Sequence, residues 1–225
     1  MKIGILQTGH APDEVRDELG NVNDFFMRLL DGKGFTFQTY AVVDGDFPIK
    51  TTDCDGWLIT GSKHGAYEDL PWIVQLQTLI REIYAVGRPL VGICFGHQVI
   101  AQALGGKVEK FDGGWAVGRQ TYDWQGEQVS LNAWHQDQVT ERPADAEPLA
   151  CNDFCENAAL VYDNRIFTMQ AHPEFGDPMI DGLIQARAGT VPADLIDTAK
   201  SNLGKNNDNL RLATQIATFF KEQRV

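Results

Sequence analysis

A cysteine stands between two glycines where a predicted strand meets a predicted helix. Residues 90–93 form a short apolar run after Pro89, which is typical of a buried strand. From Val99 onward, apolar residues recur at helical spacing. The segment Gly92-Ile93-Cys94-Phe95-Gly96 between them has the spacing of a nucleophile elbow, with cysteine in place of serine. We therefore predict that Cys94 is a nucleophile.

The geometry of such an elbow explains the glycines and favours a reactive thiol. A direct turn from strand to helix strains the residue at the turn, and Gly92 and Gly96 remove side chains that would collide there. Free N–H groups and the positive dipole end at a helix N-terminus favour a thiolate at Cys94. The N–H of Phe95 is then free to face a substrate carbonyl. The alternative for a lone cysteine is a small buried hydrophobic residue.

A candidate base for this thiol lies at a corner much further along the chain. Residues 165–170 are predicted to form a strand, and Pro173 prevents its continuation, so that His172 and Glu174 project beyond the strand end. Histidine can take the thiol proton, and a nearby carboxylate can orient the imidazole. His97 is rejected as the base because a residue in the nucleophile's own helix lines up poorly with the sulfur, and packing is favoured for it.

The sequence Gly-Ile-Cys-Phe-Gly-His-Gln, followed later by Gln-Ala-His-Pro-Glu-Phe, resembles the class I, triad-type glutamine amidotransferase family. It is especially similar to the free-standing branch that includes GMP-synthase-like glutaminase domains and γ-glutamyl peptidases. The resemblance extends from the first strand to Phe175. It implies that Cys94, His172 and Glu174 form a triad that attacks the γ-amide of a glutaminyl group. A thioester and the release of ammonia or another amine would follow, with no metal or organic cofactor.

The resemblance also implies further site residues. The family uses the loop after the third strand as part of the oxyanion hole, so the N–H of Ser62, or of Gly61, would join that of Phe95. A plain strand–helix turn is the alternative. Family positions that contact the substrate map onto Gln98, His135, Gln136 and Asp137. A surface amide and a turn-capping carboxylate are the alternatives for the first and last of these. Gln136 replaces a glycine of relatives, which leaves selectivity between free glutamine and a longer γ-glutamyl compound open.

The remaining pattern predicts an α/β protein. Strands alternate with helices up to Gly106 and a strand-rich region follows, which predicts a three-layer, mostly parallel central sheet with helices on both faces plus a small antiparallel β portion. This is the flavodoxin-like fold that the resemblance implies. Helices are predicted at 21–30, 71–86, 178–188, 193–203 and 209–219. We predict one domain over 1–225, with a catalytic core at about 1–188 and C-terminal helices at about 189–225.

Charge and cysteine usage narrow the class of partner to a small-molecule substrate. The net charge of -12 and the scattered basic residues argue against nucleic acid or an anionic membrane as the main partner. No segment approaches the roughly 18 apolar residues of a membrane span, and the first strand is too short for a signal sequence, so a cytoplasmic location is predicted. Cys151 and Cys155 are interpreted as reduced thiols rather than a metal pair.

Three functions are therefore open. In the first, the protein is a cysteine hydrolase that cleaves the γ-glutamyl amide bond of glutamine or a γ-glutamyl compound. In the second, it is a glutaminase subunit that hands ammonia to a separate synthetase. The lack of a synthetase domain, the Gly61-Ser62 loop and the C-terminal helices favour the first function slightly. In the third, it is a non-catalytic regulatory module with the same fold, which the complete triad disfavours.

Overall fold

A computed structural model describes all 225 residues except the side chain of residue 188. Its strands are β1 (Lys2–Leu6), β2 (Thr36–Tyr40), β3 (Gly56–Ile59), β4 (Leu90–Ile93), β5 (Lys107–Lys110), β6 (Ala116–Trp124), β7 (Glu127–His135), β8 (Asp137–Glu141), β9 (Ala146–Cys151), β10 (Ala159–Tyr162) and β11 (Ile166–Met169). Its α-helices are α1 (Asp13–Leu19), α2 (Val22–Leu29), α3 (Pro71–Ala85), α4 (Phe95–Ala103), α5 (Asp177–Arg187), α6 (Ala193–Ser201) and α7 (Asn209–Glu222).

Nine strands form one central sheet in the order β2-β1-β3-β4-β11-β10-β9-β6-β7. The five strands from β2 to β11 are parallel, and the remaining four continue the same sheet in antiparallel fashion. Strands β5 and β8 form a separate two-stranded antiparallel sheet. The predicted fold class is therefore confirmed, with most of the antiparallel strands extending the central sheet.

The parallel strands β1, β3, β4 and β11 are buried on both faces, as a three-layer arrangement requires, whereas the edge strand β2 is partly exposed. In β3, Leu58 packs into a core that includes Phe219 and Phe220 of α7. Its neighbours Trp57 and Ile59 pack into a second core with apolar side chains of α3 and α4. Because successive side chains of a strand point to opposite faces, this alternation places helices on both sides of the sheet.

Most predicted elements are present, but two were missed. Helix α1 is not among the predicted helices, because Val15 is the only side chain in it that is buried. Strand β8 was not predicted either, and its first residue, Asp137, was interpreted as a substrate contact. Strands β10 and β11 form a hairpin, and both Asp163 and Asn164 adopt the positive φ of its turn, 46° and 54°. Among the described residues, no helix has the length and apolar character needed to cross a membrane.

Two glycines allow α4 to pack directly on β3 and β4. A Cβ at Gly92 would lie 2.6 Å from the carbonyl oxygen of Gly96. A Cβ at Gly96 would clash with the main-chain carbonyl of Ile59. Since backbone atoms in a central sheet cannot move aside cheaply, neither position tolerates a side chain.

We expect Gly96→Ala to lower the free energy of unfolding by about 3 kcal/mol, because the added methyl group overpacks against main-chain atoms. Urea denaturation of the purified variant measures this change. The matched control is Gly176→Ala, where a Cβ would meet only Pro178 at 3.6 Å. This control should stay within about 0.5 kcal/mol of the wild type. Equal stability of the two variants would contradict the packing explanation.

Candidate active site

Cys94 lies between β4 and α4 in the strained conformation that was predicted for this turn. Its φ of 53° and ψ of -105° are rare for a residue with a side chain. Two backbone hydrogen bonds hold it there: its N–H donates to the carbonyl of Met169 at 2.9 Å, and its carbonyl accepts from Gln98 at 3.0 Å. Cys94 is only 6% exposed. The backbone of Cys94, which carries the sulfur, is therefore held in one conformation.

Strand order brings the imidazole to this sulfur. Strand β11 lies beside β4 in parallel, with Met169 opposite Ile93, so both chains leave the sheet at the same edge. His172 follows β11, and its N–H donates to the carbonyl of Asn132 at 2.8 Å. Pro173 then starts a tight turn in which the N–H of Phe175 donates to the carbonyl of His172 at 3.3 Å. The predicted corner is present.

The imidazole of His172 is fixed on several sides. Its Nδ1 is 2.7 Å from Oε1 of Glu174, and both side chains are almost fully buried. The ring of Phe175 stacks on it with the centroids 3.9 Å apart and the planes 2° from parallel. Gly61 lies against another part of the ring, since a Cβ there would be 3.0 Å from Cε1 of His172 and 3.8 Å from Cβ of Cys94. A side chain at this position would push the ring from its place by a few tenths of an ångström.

The electrostatics of the corner favour a charged imidazole. Burial alone lowers the pKa of His172, but the Glu174 carboxylate and the Cys94 sulfur raise it through charge and hydrogen bonding, to about 10. By contrast, burial lowers the pKa of His97 to about 3. His97 is fully buried, with Nδ1 2.8 Å from the hydroxyl of Thr168. Its packing role is therefore confirmed.

The two segments predicted to supply the oxyanion donors both lie next to the nucleophile. Phe95 is the first residue of α4, so its N–H has no acceptor within the helix. Gly61 and Ser62 follow β3, the strand next to β4, and line the same cavity as Cys94. Gly96 links the two segments, because its N–H donates to the carbonyl of Thr60 at 3.1 Å. This hydrogen bond therefore fixes the distance between the nucleophile elbow and the Gly61–Ser62 loop.

Gln98 and Asp137, two of the four predicted substrate contacts, are hydrogen-bonded to each other. The amide of Gln98 is buried and donates to the carbonyl of Asp137 at 2.8 Å and to Oε1 of Gln170 at 3.0 Å. Burial raises the pKa of the Asp137 carboxyl, while a hydrogen bond from Tyr67 opposes that rise. Both amide protons of Gln98 therefore have protein acceptors, whereas the Asp137 carboxylate faces a tyrosine on the loop after β3.

The other two predicted contacts directly precede Asp137: His135 ends β7, and Gln136 lies between β7 and β8. His135 is buried with Nδ1 3.2 Å from the carbonyl of Asp137, and burial lowers its pKa to about 3. Gln136 donates to the carbonyl of Phe111 at 3.4 Å. These contacts hold the loop, and substrate binding by its residues stays a prediction. Within the described part of the chain, no cluster of three His, Cys, Asp or Glu is placed to hold a metal.

A cavity of about 550 Å³ opens onto the three proposed catalytic side chains. Cys94, His172 and Glu174 lie in its wall, and three cationic residues line it: Arg16, Lys63 and Arg187. Asp13, which pairs with Arg16, and Asp44, which pairs with His10, also line it. The cavity is therefore adjacent to the imidazole and carries both signs of charge.

Asn132 was missed by sequence reasoning, although it positions the corner. Its carbonyl accepts from His172, and its side-chain amide donates to the carbonyl of Phe175 at 3.0 Å. Asn209, at the start of α7, donates to the same carbonyl at 3.1 Å. A single polar residue within the otherwise apolar run Leu131–Trp134 was the available signal, but it gives no indication of its partner.

Together, the fold and the site define an α/β protein in which a thiol, an imidazole and a carboxylate converge at the carboxyl edge of a parallel sheet. The family model described as "Glutamine amidotransferase class-I" matches residues 33–179. The chain is 30% identical to γ-glutamyl peptidase 4 of Arabidopsis thaliana over an alignment of 223 residues. This alignment covers 91% of this chain and 89% of the relative. The chain belongs to the class I glutamine amidotransferase family.

One further relative and one solved structure are similar to this chain. A glutamine-hydrolyzing GMP synthase of Azoarcus sp. (strain BH72) is 32% identical over 136 residues, which are 53% of this chain and 25% of that protein. The crystal structure of a glutamine amidotransferase from Methylobacillus flagellatus has a TM-score of 0.77 at 22% identity. The match covers 99% of this chain and 92% of the other. This structural likeness shows the fold.

We expect Glu174→Gln to lower the pKa of His172, because the carboxylate charge that opposes the effect of burial is removed. NMR titration of the ring resonances measures this shift. In the wild type, His172 should stay protonated through neutral pH and lose its proton near pH 10. Glu147→Gln, which alters an exposed carboxylate, is the control and should leave the pKa unchanged.

The same shift has a consequence for stability. The pKa of His172 is about 10 in the folded state and 6.5 in the unfolded state. Protonation of His172 therefore stabilises the folded protein fully below pH 6.5, and this contribution is lost as the pH rises through about 10. The stability contributed by His172 should therefore fall over that range in the wild type and change less in Glu174→Gln. Wild-type titration of His172 near pH 6.5 would contradict both expectations.

Proposed function

We propose that the protein hydrolyses the γ-glutamyl amide bond of a γ-glutamyl compound through a thioester on Cys94. The observation that supports this proposal is the convergence of the thiol, a carboxylate-bound imidazole and the cavity. The similarity to a γ-glutamyl peptidase over most of both chains adds to it. The alternative, a glutaminase that supplies ammonia to a synthetase, is suggested by the GMP synthase match.

In the proposed acylation step, the Cys94 thiolate attacks the γ-carbonyl carbon. The N–H groups of Phe95 and Ser62 stabilise the negative charge that develops on the carbonyl oxygen. The imidazolium of His172 donates its proton to the leaving nitrogen, the C–N bond breaks, and a thioester remains. Glu174 holds the ring by its Nδ1, so Nε2 is the nitrogen that faces the reaction.

In deacylation, neutral His172 accepts a proton from water, and the hydroxide formed attacks the thioester carbonyl. Collapse of the second tetrahedral intermediate breaks the C–S bond, releases the γ-carboxylic acid of glutamate, which loses its proton to solvent, and returns the thiolate and the imidazolium. Each half-reaction forms negative charge on the same oxygen, so one pair of N–H donors serves both steps.

The size of the cavity favours a substrate larger than glutamine. The imidazole that protonates the leaving nitrogen lies in the cavity wall, so the leaving group enters this space. A volume of about 550 Å³ exceeds what ammonia needs, given that a liquid water molecule occupies about 30 Å³. Lys63 and Arg187 line the cavity and can attract an anionic leaving group.

We expect Cys94→Ala to abolish turnover without unfolding the protein, because the reaction loses its nucleophile. Hydrolysis of glutamine, glutathione and γ-glutamyl amines, assayed without a partner protein, tests the function. Cys151→Ala is the matched control, since Cys151 is exposed and free, and it should keep full activity. A glutamine-analogue electrophile should alkylate Cys94 stoichiometrically. Substantial turnover by Cys94→Ala would refute the proposal, and glutamine as the sole substrate would favour the ammonia-supplying alternative.

The cationic lining gives a second expectation. Lys63→Ala should raise the KM for a γ-glutamyl amino acid roughly two- to fivefold, because an exposed ion pair contributes up to about 1 kcal/mol. The KM for an uncharged γ-glutamyl alkylamide should not change. Lys50→Ala removes an exposed lysine outside the cavity and serves as the control. An equal rise for charged and uncharged substrates would show that Lys63 does not recognise the anionic group.

A further inference from the structure

Two buried threonines surround the peptide group between Gly61 and Ser62. Thr8 follows β1 and Thr60 follows β3, and both are fully buried. The hydroxyl of Thr8 is 3.0 Å from the carbonyl oxygen of Gly61, and that of Thr60 is 3.2 Å from the same oxygen. The two hydroxyls are 3.1 Å apart. One carbonyl oxygen thus has two hydroxyl partners in the protein interior.

These contacts fix the direction of the next N–H. The peptide bond is trans, so the N–H of Ser62 points opposite to the carbonyl of Gly61. Because that carbonyl is directed toward the threonine hydroxyls, the N–H is directed away from them. Gly9 packs closely against the same peptide, since a Cβ there would lie 3.4 Å from both the Gly61 oxygen and the Ser62 Cα. The peptide cannot rotate without losing its two hydroxyl partners.

The threonines also connect this peptide to the nucleophile elbow. The carbonyl oxygen of Thr60 lies 2.9 Å from the hydroxyl oxygen of Thr8, whose single proton is shared between this carbonyl and that of Gly61, and it accepts from the N–H of Gly96 at 3.1 Å. The N–H of Thr8 donates to the hydroxyl of Thr60 at 3.0 Å. Gly96 directly follows Phe95, whose N–H is the other oxyanion donor. One buried network therefore sets the distance between the two donors.

We propose that Thr8 and Thr60 are positioning residues that hold the oxyanion hole open before substrate binds. This inference rests on the proposed function. Without the Thr8 hydroxyl, the carbonyl of Gly61 would lose the shorter of its two hydrogen bonds in the interior, and a buried acceptor that loses its partner costs about 1–3 kcal/mol. Rotation of the peptide would relieve this cost by turning the carbonyl toward the cavity. The Ser62 N–H would then no longer face the substrate.

The test compares Thr8→Val, which has the same shape without a hydroxyl, with Thr8→Ser, which keeps the hydroxyl. With a chromogenic γ-glutamyl anilide, Thr8→Val should lower the rate of acylation by about 10- to 100-fold, because loss of one oxyanion donor costs about 100-fold or more. Thr8→Ser should stay within about threefold of the wild type. Alkylation of Cys94 by iodoacetamide, which forms no oxyanion, should proceed at the wild-type rate in both variants.

Each outcome has a separate meaning. If the wild type cleaves the anilide and Thr8→Val cleaves it equally fast, the positioning role is wrong while the proposed function stands. If both acylation and alkylation slow in Thr8→Val, the effect is general damage to the site, and the positioning role is again wrong. If the wild type has no activity on any γ-glutamyl compound, the proposed function fails. In that case the crystal structure of Thr8→Val still tests the positioning role. A rotated Gly61–Ser62 peptide supports it, and an unrotated peptide overturns it.

Discussion

The site depends on the side-by-side order of three parallel strands. Strands β3, β4 and β11 end at the same edge of the sheet, and they carry the Gly61–Ser62 loop, Cys94 and His172 respectively. Hydrogen bonds between neighbouring strands fix their register to within one residue, because a slip by one residue would turn every buried side chain to the other face of the sheet. The sheet therefore supplies the spacing, and the loops only have to project short side chains across it.

Strain and charge are concentrated in the few residues that follow these strands. Cys94 has a backbone conformation that costs on the order of 1–3 kcal/mol, and the packing of α4 on β3 and β4 maintains it. His172 keeps a positive charge in a buried place because a carboxylate and a sulfur lie next to it. Phe175 and Asn132 hold the ring and its turn in place. The surrounding fold thus stabilises two locally unfavourable arrangements at once.

Much of this arrangement could be predicted from local sequence, because its signals are short. Gly92, Gly96 and Pro173 are needed by the backbone itself, so they mark the elbow and the corner directly. Helix α1 was missed because only Val15 contributes to its apolar face. Asn132 and Thr8 were missed because their partners lie 40 or more residues away, and a buried polar residue gives no indication of which carbonyl it meets.

Strand order also has a consequence for the folding of the chain. Strand β11 lies between β4 and β10 in the central sheet, although it is the last strand in sequence. The sheet can be closed only when residues 166–169 insert into this gap, which makes closure a long-range and comparatively slow event. During synthesis the cysteine is therefore made well before its imidazole neighbour exists. The nascent chain therefore carries the thiol without the imidazole, and the two meet only in the completed fold.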